Sequence, residues 1–310
     1  MTELQIAIAA AAASVIVWIL YVNLRERAAL KKAAAEQSQS AEPIFTAAQA
    51  ERPDADLPSE FSEAIAVLTW PSPISVIRVQ QQIRGWRRVG SKPLSIGWVS
   101  ADSVLTEPVG LELSELRVGI LLATRSGALH AMEYSEWRDT LDQIATALGA
   151  GLEVPSMTVV LARAKELDQK CAAVDAQLSL CVTTDRVLSV GDMQSAALAL
   201  GLQPKGESRF VFLDEQQQTR FSVFPGDRGN SMVLLLDVPR SPQPTESFKE
   251  MTQTAHQLAQ SLNGRLTDEA GRELTTTDLD MIAAQVAQRA EQLLELGITP
   301  GSRLALRLFL

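Results

Sequence analysis

Two histidines and two cysteines are all that the chain holds of those residue types, so any imidazole, thiol or soft-metal chemistry must come from them. Cys171 and Cys181 form no CxxC pair and have no clustered histidines beside them, which offers neither a zinc set nor a redox couple. Both read as small core-filling residues of a reduced compartment. His256 lies between the apolar positions Ala255 and Leu258, one residue off a helical stripe. His130 falls in a loop after a strand, and each histidine reads as a surface or boundary residue. No GxGxxG follows a strand, and no Walker loop, HExxH or GxSxG occurs. The glycine-rich run Pro225–Asn230 joins two strands without opening a helix, so it reads as a tight turn. Asp278 and Asp280 stand at a helix start, where the macrodipole accounts for them without a metal. Arg84, Arg87, Arg88 and Lys92, with Trp86 interleaved, are the one candidate phosphate patch, and read as the solvated end of a helix. The sequence predicts no enzyme, no cofactor, no metal and no small-molecule substrate.

The formal net charge of −9 and pI of about 4.9 repel phosphate backbones, which argues against nucleic acid as a partner. Residues 4–24 form a stretch without a charged side chain, and Arg25, Arg27, Lys31 and Lys32 follow at once. A helix of that length is about 30 Å long, the hydrocarbon thickness of a bilayer. Trp18 and Tyr21 lie near its end, where amphipathic rings favour the headgroups. The basic cluster after the span predicts an outward-facing N-terminus (1–3), a transmembrane helix (4–24) and a cytoplasmic remainder. Residues 25–59 read as a basic juxtamembrane segment passing into a flexible linker rich in Ala, Glu, Gln, Ser and Pro.

The elements beyond the linker repeat. A shift of 114 positions lays Val118–Leu152 over Met232–Leu266 without a gap. Tyr134, Trp137, Leu141, Ile144, Ala145 and Leu148 then fall on Phe248, Met251, Ala255, Leu258, Ala259 and Leu262, each set with the spacing of one helix face. Gly149 and Asn263 stand where a left-handed residue would stop each helix. Each copy reads as strand, helix, two or three strands, helix, and a further helix that in the second copy opens at Thr277–Asp280. The predicted class is α+β, two tandem two-layer sandwiches of mainly antiparallel sheet with helices on one face, at 60–173 and 174–297. An apolar tail, 298–310, follows.

A sheet covered by helices on one face should alternate apolar and polar residues. Phe210–Leu213, Phe221–Phe224 and Met232–Leu236 do not alternate cleanly. Something apolar must cover the second face at least part of the time. The two copies packing sheet to sheet, or the tail folding over, would do it; so would an exposed groove that takes a peptide.

The stretch Met232–Gln292 resembles the C-terminal domain of the bacterial cell-division ZipA family. An apolar strand ends in Val238-Pro239, and a helix carries Ser247-Phe248-Lys249 and Ala255-His256-Gln257-Leu258-Ala259. Asn263-Gly264-Arg265-Leu266 follows, then a charged turn from Asp268 to Arg272 and a helix after Leu274-Thr275. The resemblance extends more weakly back to Leu178. It implies a split β-α-β sandwich whose open sheet face binds the C-terminal peptide of the tubulin-like protein FtsZ and tethers the division ring to the inner membrane, with the N-terminus periplasmic. The implied groove draws on Ser179, Cys181, Phe210, Phe212, Val223, Val233 and Leu235. The alternative is a membrane-tethered scaffold for another cytoplasmic protein.

Overall fold

Alternating burial along the strands and three- and four-residue spacing along the helices settle into layers in the computed structural model. It describes residues 57–100, 103–105, 107, 112–206 and 208–310. The expected span 4–24 and its basic flank lie outside these residues. Among the described residues, no helix is long and apolar enough to cross a membrane.

The chain divides into two compact units, one holding the described residues up to Ala173 together with Arg307–Leu310, the other Val174–Leu306. Described in order, the first contains β1 (Glu63–Ser75), α1 (Val76–Ile83), β2 (Arg88–Val89), β3 (Lys92–Ser100), β4 (Ser103–Leu105) and β5 (Glu112–Leu121). The short pair β6 (Ala123–Thr124) and β7 (Gly127–Ala128) follows, then α2 (Ala131–Leu148), β8 (Gly151–Glu153) and α3 (Met157–Val174). Its main sheet runs β2-β3-β5-β1-β8, with β4 beside β3. Every pairing in it is antiparallel.

The second unit contains β9 (Gln177–Thr183), α4 (Val190–Ala199), β10 (Gln203–Pro204), β11 (Phe210–Leu213), β12 (Thr219–Pro225) and β13 (Ser231–Asp237). It continues with α5 (Pro244–Leu262), β14 (Arg265–Thr267) and α6 (Thr276–Glu295). The sheet order is β10-β11-β12-β13-β9-β14, again antiparallel throughout. In each unit the strand after the long helix lies beside the opening strand, and the opening strand lies beside the last long strand before that helix, β5 or β13. The α+β class and the antiparallel sheets are those expected from the sequence.

The long helices α2 and α5 bury the two predicted stripes, Tyr134 to Leu148 in one and Phe248 to Leu262 in the other. Both end in the same way. Gly149 (φ 66°) and Asn263 (φ 52°) take the left-handed conformation, and the next amide donates back to the carbonyl of Ala145 or Ala259. Gly264 leaves little room for a side chain, since a Cβ there would stand 2.9 Å from the Thr183 carbonyl oxygen. Leu68 faces Leu152 and Val182 faces Leu266, so these pairs stand 114 residues apart in both members. The central pair is slipped: Ala66 faces Val118, whereas Leu180 faces Leu234. A slip of two residues keeps every side chain on its face.

Several local readings need correction. The box that opens α6 is Thr275 with Asp278, not Thr277 with Asp280: Thr275 Oγ1 accepts from the Asp278 amide, and the Asp278 carboxylate accepts from the Thr275 amide. His130 is exposed at the boundary of α2, as expected, and is its N-cap, reciprocally bonded with Glu133. The basic patch comes apart. Arg84, Arg87 and Arg88 are exposed around the loop after α1, while Lys92 is 1 % exposed. Its Nζ donates to Thr124 Oγ1 (3.0 Å) and the Gly127 carbonyl (2.7 Å), and burial pushes its pKa below the ordinary lysine range against the opposing pull of Glu133 and Asp168. The tail folds as a short helix, α7 (Arg303–Leu308).

Candidate protein-interaction face

Strand register decides which residues of the second sheet share a face. Met232, Leu234 and Leu236 of β13 are fully buried and stand opposite the equally apolar Val182, Leu180 and Leu178 of β9. That is the face α5 covers. Val233 and Leu235 alternate to the other side and stay half-buried. They stand opposite Cys181 and Ser179, so these four predicted groove residues do come together.

The other three do not join them. Val223 stands opposite Leu234 and Phe210 opposite Val223, which places both on the helix face, where Val223 is 0 % exposed. Phe212 is on that side as well, stacked on buried Phe221 with ring centroids 5.0 Å apart. Phe210, Phe212 and Val223 are therefore core or core-edge residues. Their neighbours Val211, Ser222 and Phe224 point the other way. Alternation alone could not choose between the two sets, because both phases of β11 and β12 are largely apolar.

The open face consists of two rows that cross the sheet. One runs Val211, Ser222, Leu235, Ser179; the other runs Phe224, Val233, Cys181, Thr267. The β11–β13 side is apolar and the β9–β14 side is small and polar. Gln177 and Asp237, joined by a 3.1 Å hydrogen bond, close one end, while Ser231, Thr183 and Arg265 close the other. Arg209 lies over the Phe224 ring at 5.1 Å. Ser179 Oγ donates to the Glu269 carboxylate at 2.7 Å, setting an acid at the polar edge. The Cys181 thiol is pushed up to about 12, chiefly by burial and then by the charges of Glu269 and Asp268. It is a thiol at pH 7 and no nucleophile.

Phe224, Val233 and Leu235 are half-buried on this face, while Val211, Ser222, Ser179, Cys181 and Thr267 are buried; three such apolar side chains between polar ends can bind an apolar peptide. Among the described residues no cluster of three or more His, Cys, Asp or Glu forms a metal site. In the first unit, Trp98 shares a row with Leu116 and Leu68 on the helix face, and Trp137 is buried in α2, so neither belongs to an equivalent open-face site.

Residues 227–285 match the family model of ZipA, C-terminal FtsZ-binding domain. The matched stretch lies within the second unit, and the model it matches is that of an FtsZ-binding domain. The match spans β13, α5, β14 and the first half of α6, so it includes Val233, Leu235, Thr267 and Glu269 of the face just described. No curated protein matches the chain.

Proposed function

We propose that this chain is a membrane-anchored adaptor of cell division, which binds the C-terminal peptide of FtsZ on the open face of its second sheet and so tethers the division ring to the inner membrane. The observation that carries the reading is that the ZipA match covers the strand whose Val233 and Leu235 stand half-buried on the face opposite the fully buried Met232, Leu234 and Leu236. The groove is Phe224, Val233 and Leu235 for apolar contact, with Val211, Ser179, Cys181, Ser222 and Thr267 as its buried floor. Burying the exposed parts of such side chains is worth about 25 cal/mol per Å². A few aromatic and aliphatic anchors on the peptide would supply most of the binding energy. Modest affinity suffices, because a polymer presents many tails to many membrane-held receptors.

Residues 4–24 serve as the anchor in this reading, with Arg25, Arg27, Lys31 and Lys32 holding the cytoplasmic side. The first domain, at 60–173, is in this reading a second copy of the same fold. Its matching strand order, helix stops and buried stripes support that reading. A titration of the full chain in detergent micelles with a labelled FtsZ C-terminal peptide tests the reading. Saturable binding is expected, and absence of binding by a folded chain would favour a scaffold for another protein.

A further inference from the structure

The first sheet also has a face turned away from its helices, and it is built around a charge. Glu63, at the start of β1, is 0 % exposed. It shares its face with Gly119 and Ser95, which pair one row further along the sheet. Ser95 Oγ donates to the carboxylate at 2.7 Å and the Ser59 amide at 2.8 Å. Gly119 keeps the cradle open, since a Cβ there would stand 2.5 Å from Ser95 Oγ and 3.0 Å from the Glu63 carboxyl carbon. A buried carboxylate held by two neutral donors still needs a cation, because desolvating an unpaired charge is expensive. Arg307 supplies it, its Nη2 lying 2.6 Å from Glu63 Oε1. The next two residues are held too: Leu308 and Phe309 are each 1 % exposed, and the Arg125 guanidinium lies 5.7 Å from the Phe309 ring centroid.

We infer that this face is a second peptide-binding site, selective for an arginine followed by an apolar and an aromatic residue, and that its resident ligand is the chain's own Arg307–Leu310. Glu63 reads the guanidinium, and Arg125 takes the aromatic ring by a cation–π contact. The first domain is thereby self-occupied, and a partner bearing the same basic-aromatic segment could enter only by displacing it. This goes beyond the proposed function, which concerns the second sheet, and stands whether or not that sheet binds FtsZ.

The test uses the full chain in detergent micelles, intact and lacking residues 307–310, titrated with a fluorescein-labelled peptide of residues 299–310. The shortened chain should bind the peptide saturably, the intact chain at least tenfold more weakly. A peptide with Arg307→Ala should bind the shortened chain at least tenfold more weakly than the native peptide, a comparison that no loss of folding can imitate. Equal binding of the two peptides, or no saturable binding by a shortened chain with an unchanged melting curve, overturns the inference. Hydrogen exchange on intact Arg307→Ala chain gives an independent readout. Amides of 307–310 should exchange at least tenfold faster than in the parent, and unchanged protection overturns the inference as well.

Discussion

Leu234 and Leu235 are neighbours in β13 whose environments differ only because a strand turns successive side chains to opposite faces. Leu234 is 0 % exposed between sheet and helices, while Leu235 is half-buried on the uncovered side. Truncating a fully buried leucine to alanine removes its transfer energy and leaves a cavity, together about 3 kcal/mol within a range of roughly 2–5. With a urea slope of about 1.5–2 kcal/mol per M, Leu234→Ala should lower the unfolding midpoint of its unit by about 1.5–2 M. Leu235→Ala forfeits roughly half of the ~1.5–3 kcal/mol that burying a leucine yields, with no enclosed cavity, so about 1 kcal/mol and a midpoint shift near 0.5 M. Urea titrations of the two variants followed by far-ultraviolet circular dichroism measure both shifts. Equal shifts, or a larger one for Leu235→Ala, would mean that β13 presents its residues in the opposite phase, and the open face as described would not exist.

Three further outcomes follow from particular contacts. Thr275→Ala removes the hydroxyl that caps α6 and should cost about 1 kcal/mol in the same titration, with Thr275→Ser near neutral. Asp278 and Asp192 both have pKa values lowered in the folded chain, Asp278 first by the Thr275 amide and Asp192 first by Arg186. Their stabilisation is therefore full above the ordinary carboxylate pKa of about 4 and is lost as pH falls through the lower folded values. Melting temperature should drop as pH falls below about 4, and the drop should be smaller in an Asp192→Asn, Asp278→Asn chain; an equal drop would remove these two groups as its source. Cys171 and Cys181 are both buried, and Cys181 ionises only near pH 12. Thiol labelling of the native chain at pH 8 should thus run at least ~100-fold slower than in urea, and fast native labelling would contradict the placement of Cys181.

Most of the layer architecture was legible because its signals are local. The stripes of α2 and α5, their left-handed stops at Gly149 and Asn263, and the strand before each helix follow from spacing and from single residues of special conformation. The phase of β11 and β12 was not legible. Phe210 and Val211, or Val223 and Phe224, are apolar on both sides, and only hydrogen-bond register against β13 assigns them; a one-residue slip exchanges the faces. The register of β11 against β12 also shifts between Phe212 and Leu213, which no sequence pattern announces. In β13 and β9 the residues implied by the family resemblance share one phase, Val233 standing opposite Cys181 and Leu235 opposite Ser179. Lys92 misled for a different reason. A basic residue beside three exposed arginines reads as surface, and its acceptors, Thr124 and Gly127, lie some thirty residues further on in sequence. Arg307 is similar, since its partner Glu63 is 244 residues away.

The central claim is that the uncovered face of the second sheet receives the FtsZ tail. The most direct measurement is a titration of the full chain with the labelled FtsZ C-terminal peptide, comparing the parent with Val233→Asp, Leu235→Asp, both side chains being half-buried on that face. Two charges placed in an apolar groove should weaken binding by more than about tenfold, while circular dichroism and the melting curve remain those of a folded chain. Unchanged affinity in the folded double variant would contradict the account and exclude this face as the binding site.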